Sequence, residues 1–203
     1  MKLFKVISMV FALISFSFAF NPQSNPQNTS SPFSGIGDRF QKAISVFKEV
    51  KVTPKDILNT TTTFYKEFRG GDELLKKAEG YLVFPQVFDA GFIVGGKYGY
   101  GALVKNNTIA YYYKIYSTSV GIKAGLQKFS LIVVFLTKEA LDRFINKEEW
   151  KVGIDSKITF TSWHQGIDIN SLDLKKDTLV IPFNQVGIMA NLSFEGTVFQ
   201  KLD

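Results

Sequence analysis

The chain has 203 residues, a net charge of +6, one histidine and no cysteine. Disulfides, thiol chemistry and a cysteine-linked lipid anchor are therefore excluded, and a lone histidine leaves little material for nucleophile-base catalysis. The length suits one domain of ordinary size.

Residues 1–19 carry Lys2 and Lys5, an apolar run from Val6 to Phe18, and the small residues Ser17 and Ala19 at the spacing of a cleavage site. This reads as a secretory signal peptide, its run being shorter than the ~20 residues of a membrane span. Removing it leaves a net charge of +4. Residues 20–34 are rich in Asn, Pro, Gln and Ser, with Asn-Pro-Gln at 21–23 repeated at 25–27. They read as a flexible linker to a single domain over 35–203.

Ile36, Phe40, Ala43, Ile44, Phe47 and Val50 recur at helical spacing, with Arg39 and Lys42 elsewhere around the same helix. Thr53-Pro54, with Asp56 three residues past the cap, predicts a second helix whose apolar stripe is Ile57, Phe64 and Phe68. Gly70-Gly71 stops it, and Asp72 is expected to cap a third, short helix through Leu74, Leu75 and Ala78. β-rich runs follow at Tyr81–Phe84, Gly91–Gly95, Gly99–Val104, Thr108–Tyr116, Val120–Leu126 and Phe129–Leu136, with Asn106-Asn107 as a two-residue hairpin turn. Thr137 caps a helix over Lys138–Asn146, and further strands are expected near Lys157–Ser162, Thr178–Phe183, Gly187–Phe194 and Thr197–Lys201. The pattern predicts an α+β domain, N-terminal helices packed on a twisted, mainly antiparallel sheet. Closure of that sheet into a barrel or half-barrel is left open by the spacings.

Charge is unevenly spread. From Ala90 to Lys138 there are six lysines and six of the eight tyrosines, but no Asp or Glu. Tyrosine suits a membrane interface, with an apolar ring and a wet hydroxyl, and lysine is drawn to anionic headgroups. A basic residue near such a surface contributes about 1 kcal/mol, so lysines alone hold too weakly and something apolar must add to them. The amphipathic segment from Ile36 to Val50 is the candidate; its ordinary alternative is to pack its stripe on the sheet. Gly95-Gly96-Lys97-Tyr98-Gly99-Tyr100-Gly101 superficially suggests a phosphate loop, but no helix follows it. Bulges, bends or close backbone contacts are the more ordinary use of such glycines. Asp168 and Asp173 are conceivable as a glycosidase pair only if geometry brought them together. The aromatic loop Ser162-Trp163-His164-Gln165-Gly166 reads as a packed corner, with an interfacial anchor as the alternative.

Four blocks carry a resemblance: Ala78-Glu79-Gly80-Tyr81-Leu82-Val83-Phe84-Pro85, the glycine-rich run Ala90 to Leu103, Trp150-Lys151-Val152-Gly153-Ile154-Asp155, and Gly187 to Thr197. In order and spacing they resemble the SYLF, or Ysc84, family over about 64–202. The resemblance implies a non-enzymatic domain; no cofactor is expected, and no His or carboxylate set stands at metal-ligand spacing. Its eukaryotic members bind phosphoinositide membranes and actin, and its bacterial members resemble exported proteins. Glu79 stands where the family often has lysine, and Tyr100 where it often has Glu or Gln.

The reading that results is an exported, periplasmic, peripherally membrane-associated domain that binds anionic phospholipid. The expected contact residues are Lys97, Tyr98, Tyr100, Lys105, Lys114, Lys123 and Lys128, with Arg39 and Lys42 of the preceding helix. The alternatives are an envelope protein-interaction or scaffold module using the same basic face, and a lipid carrier with an internal apolar cavity. Nucleic acid is disfavoured by the export signal.

Overall fold

The computed structural model describes residues 52–91, 94–120, 125–153, 159–160, 177–188 and 193–202. The expected signal peptide, linker and first helix, Arg39 and Lys42 with them, lie outside the described residues, as do Lys123, Asp168, Asp173 and the Trp163-His164 corner. The first described helix, α1 (Pro54–Glu67), starts where the sequence places it. Thr53 caps it: its Oγ1 accepts from the Asp56 backbone N–H at 3.2 Å, and Asp56 Oδ2 accepts from the Thr53 backbone N–H at 2.9 Å. This reciprocal box satisfies two otherwise orphaned donors. The expected stripe is buried, Ile57 and Phe64 within α1 and Phe68 just beyond it.

Helix α2 (Gly71–Lys77) starts differently from expectation. Its N-cap is Gly70, in the left-handed region at φ 79°, and Asp72 lies in the first turn with its carboxylate 3.1 Å from Lys76 Nζ. Glycine takes that conformation without a Cβ penalty, so the chain turns into α2 two residues earlier than a side-chain cap would allow.

The strands are β1 (Gly80–Gly91), β2 (Val94–Lys105), β3 (Thr108–Val120), β4 (Gly125–Phe135), β5 (Glu149–Lys151), β6 (Thr159–Phe160), β7 (Thr178–Ile188) and β8 (Val198–Lys201). Helix α3 (Lys138–Ile145) follows β4, capped by Thr137 as expected. The sheet order is β5-β8-β3-β2-β1-β4-β7-β6; β6 pairs parallel with β7 and every other pairing is antiparallel. Among the described residues the sheet is open, with β5 and β6 at its edges, and the barrel that the spacings left undecided is not formed by them. Strand boundaries also differ. Of the expected Gly91–Gly95 strand, Gly91 ends β1 while Val94 and Gly95 begin β2, and Val120 and Gly125 likewise fall in separate strands. Glycine clusters blur the period-2 signal that marks strand ends. Asn106 and Asn107 make the predicted turn between β2 and β3, at φ 50° and 60°.

Apolar residues cover both faces at one end of the sheet. On one, Phe64, Phe68, Leu74 and Leu75 from the α1–α2 region pack on Val83, Ala102, Val104, Ile132, Val134, Leu179 and Ile181. On the other, Phe144 of α3 sits among Tyr113, Phe135, Trp150 and Phe199, with ring centroids 4.8–6.3 Å away. The close backbone contact read from the β2 glycines is present: a Cβ on Gly101 would lie 2.3 Å from the Val83 carbonyl oxygen.

Candidate functional site

Alternation along each strand, fixed by these two cores, assigns the remaining side chains to a face. On β2, Ala102 and Val104 face α1, so Tyr100 and Tyr98 continue that face. Register then aligns their neighbours. Tyr98 is opposite Phe88 of β1 and Tyr116 of β3, and Phe88 is opposite Lys128 of β4. In the next row Tyr100 is opposite Gln86 and Lys114. Two lysines and four aromatic rings thus share the half of the α1 face that extends beyond the core beneath α1 and α2.

This patch is internally ordered. Tyr98 donates its hydroxyl hydrogen to Tyr100 Oη at 2.5 Å, with the two rings edge-on at 5.3 Å. Burial first, and the bond to Tyr100 second, push the Tyr98 hydroxyl well above the ordinary tyrosine range, so it stays protonated and donating. Lys114 Nζ lies 5.4 Å from the Tyr116 ring centroid, and Tyr116 donates to Glu149 Oε1 at 2.9 Å. Glu149 therefore marks the β5 border of the patch. Lys114, Lys128 and Tyr100 are half-buried and Tyr112 is exposed.

Lys97 corrects the sequence reading. It occupies the opposite, α3-side face at 1% exposure, with Nζ 2.9 Å from Asp89 Oδ2, and it donates to the Ser193 carbonyl. Asp89 is fully buried, and Gln127 and Ser117 continue the same cross-strand row at 5% exposure each. The pairing is a charge contact more than an aligned hydrogen bond, since neither Asp89 carboxylate oxygen has a hydrogen-bond partner. A lysine so enclosed cannot meet a membrane surface. Lys105 also leaves the patch: it ends β2 on the α3 side, close enough to help hold the Asp142 carboxyl below its usual range, after the larger effect of the Lys138 hydrogen bond.

Of the expected contact residues, then, Tyr98, Tyr100, Lys114 and Lys128 come together, and Lys97 and Lys105 do not join them. Phe88 and Tyr116 were not anticipated as partners. The signal was their place one registered pair from Tyr98, which becomes readable only when the β1–β2 and β2–β3 hairpins are centred correctly. Among the described residues no group of His, Asp or Glu could hold a metal ion, and no helix is long and apolar enough to cross a membrane.

Residues 116–203 match the family model Ysc84, described as Las17-binding protein actin regulator. This is the family that the sequence blocks resemble, and the matched span runs from Tyr116 in β3 through β8. No curated protein matches the chain.

Proposed function

We propose that the protein is a non-enzymatic module that binds anionic phospholipid surfaces through the outer half of the α1 face, and that it does so as an exported, peripheral envelope protein. The observation that carries this reading is the convergence of Lys114 and Lys128 with Phe88, Tyr98, Tyr100 and Tyr116 on one sheet surface. Two lysines supply about 2 kcal/mol at an anionic surface, and the half-buried rings of Phe88, Tyr100 and Tyr116 add the interfacial contribution that lysines lack, while the buried Tyr98 holds Tyr100 in place. Residues 1–19 support export and an envelope location, and no cofactor enters the scheme.

The test is co-sedimentation of the purified protein with vesicles of phosphatidylcholine alone or mixed with phosphatidylglycerol, over a salt series. Binding to the anionic vesicles only, weakened by salt, is expected. Replacing Lys114 and Lys128 by Gln should lower the partition coefficient roughly thirty-fold, the equivalent of about 2 kcal/mol. Equal binding of wild type and K114Q/K128Q would end the proposal.

The family description, which names a protein-binding regulator, favours a second reading in which the same patch meets an acidic envelope protein. One stoichiometric partner, recovered from envelope extract in detergent and lost in K114Q/K128Q, would select it. The carrier alternative receives no support among the described residues, because Phe84, Phe135, Phe144, Trp150 and Phe199 fill the interior between the sheet and α3.

A further inference from the structure

Next to the tyrosine-lysine patch the ladder is broken in three pairings, by extra residues on β1 and β7. Register shifts fall between Val83 and Gln86 in the β1–β2 pairing, between Phe84 and Val87 in β1–β4, and between Lys128 and Ser130 in β4–β7. Asn184 on β7 takes a left-handed backbone, φ 53°, which is uncommon for a non-glycine residue within a strand. Bulges and such outliers concentrate where a strand re-aims side chains toward a site. Here they turn Gln86, Ser130 and Asn184 toward Asp56, Asn59, Thr60 and Thr63 of α1, and between them lies an open cleft of about 200 Å³.

The lining has a definite hydrogen-bonding character. Thr60 and Thr63 donate their hydroxyl hydrogens to the carbonyls of Asp56 and Asn59, and Ser130 donates to the Pro85 carbonyl. With their protons committed, these three oxygens face a ligand as acceptors. Asp56 Oδ2 takes both Thr53 bonds, which leaves Oδ1 as a further acceptor. Asn59, Gln86 and Asn184 add amides that both donate and accept. A cleft with many acceptors, three amides and no cation matches an uncharged ligand bearing several hydroxyl groups.

Positive charge lies beside the cleft and not within it, where the Asp56 carboxylate is the ionised group of the lining. Lys128 is the next residue along β4 from Ser130 on the same face, and Gln86 is registered with Tyr100 of the patch. We propose that the cleft binds the vicinal diol of a lipid headgroup, that of phosphatidylglycerol, while Lys128 meets the adjoining phosphodiester. This inference rests on the membrane reading for its source of the diol; a free saccharide would offer the same chemistry.

The test compares the wild-type protein with N59A/N184G, which removes two cleft amides while glycine keeps the left-handed backbone at 184. Vesicles carry either phosphatidylglycerol or phosphatidylserine, equal in net charge and differing in the diol. The wild type should prefer phosphatidylglycerol about tenfold, the worth of one or two hydrogen bonds made to one headgroup only. The variant, with an unchanged thermal melt, should bind both equally. A wild type that binds both equally overturns the headgroup inference and leaves the anionic-surface reading intact, and a variant that keeps the preference overturns the assignment to this cleft. In a second arm, soluble glycerophosphoglycerol and glucose are titrated while the side-chain amide resonances of Asn59, Gln86 and Asn184 are followed by NMR. Shifts with glycerophosphoglycerol support the site even if no vesicle binds, which would remove the membrane reading alone. Shifts with glucose only, or with neither, overturn the lipid assignment.

Discussion

Asp89 and Lys97 oppose each other across the β1–β2 ladder with 2.9 Å between Oδ2 and Nζ, and neither side chain is more than 1% exposed. Two charges so enclosed are held by each other and by the groups around them, here the Ser193 carbonyl and the Phe194 ring, whose centroid lies 5.3 Å from Nζ. Lys97→Met leaves the Asp89 carboxylate enclosed and uncompensated and should cost about 3–5 kcal/mol of stability. The double change D89L/K97M, which removes both charges, should recover most of that loss. Urea unfolding of the two variants checks this, and an undamaged K97M would show the pair to be energetically idle.

Gly101 tests the close approach of β1 to β2. Alanine there would drive its Cβ to 2.3 Å from the Val83 carbonyl oxygen and into the Phe84 ring. At least 1–3 kcal/mol should be lost, the usual range for overpacking a tight interior. Gly153→Ala meets no atom within 4 Å, and its positive φ of 89° leaves only the backbone penalty, about 1 kcal/mol. Thermal melts should rank G101A well below G153A.

The cap of α1 has a pH signature. The side-chain bond from Thr53 to Asp56, more than any other cause, holds the Asp56 carboxyl below its ordinary value of 3.8. A depressed folded-state value gives stability that is present above about pH 4 and is lost as pH falls through the folded value. Thr53→Ala should cost about 1 kcal/mol at neutral pH, and its stability should fall less steeply than that of the wild type below pH 4. Parallel acid titrations followed by circular dichroism give the comparison.

At the alkaline end the sign reverses. Burial, with Tyr65 nearby, raises the Tyr81 hydroxyl to about 12, and burial lifts Tyr113 and Tyr98 higher still. The folded protein keeps these protons while the unfolded chain loses them near pH 10, so stability is full below pH 10 and declines as pH rises through 12. Tyr81→Phe removes one such group and should flatten the decline between pH 10 and 12, as read from unfolding midpoints.

Local chemistry was legible in the chain where neighbours in sequence decide the outcome. Thr53-Pro54 with Asp56, Asn106-Asn107 and Thr137 each carry within four residues the groups that start a helix or close a turn, and each does so. The α+β class and the clustering of lysine with tyrosine followed from composition and period. What the chain by itself could not determine was the face of each lysine, because facing depends on register, and a shift of one residue inverts every assignment. The β1–β2 pairing is the example: with Gly91 registered to Gly95, it brings Asp89 opposite Lys97 and carries that lysine into the interior, whereas Tyr98, one residue on, stays with Lys114 and Lys128 on the patch. The cleft is more distant still from sequence, since Asp56, Ser130 and Asn184 meet only through bulges on β1 and β7 and the seating of α1 over them. Spacing along the chain sets which residues can alternate; tertiary pairing alone decides which of them share a surface.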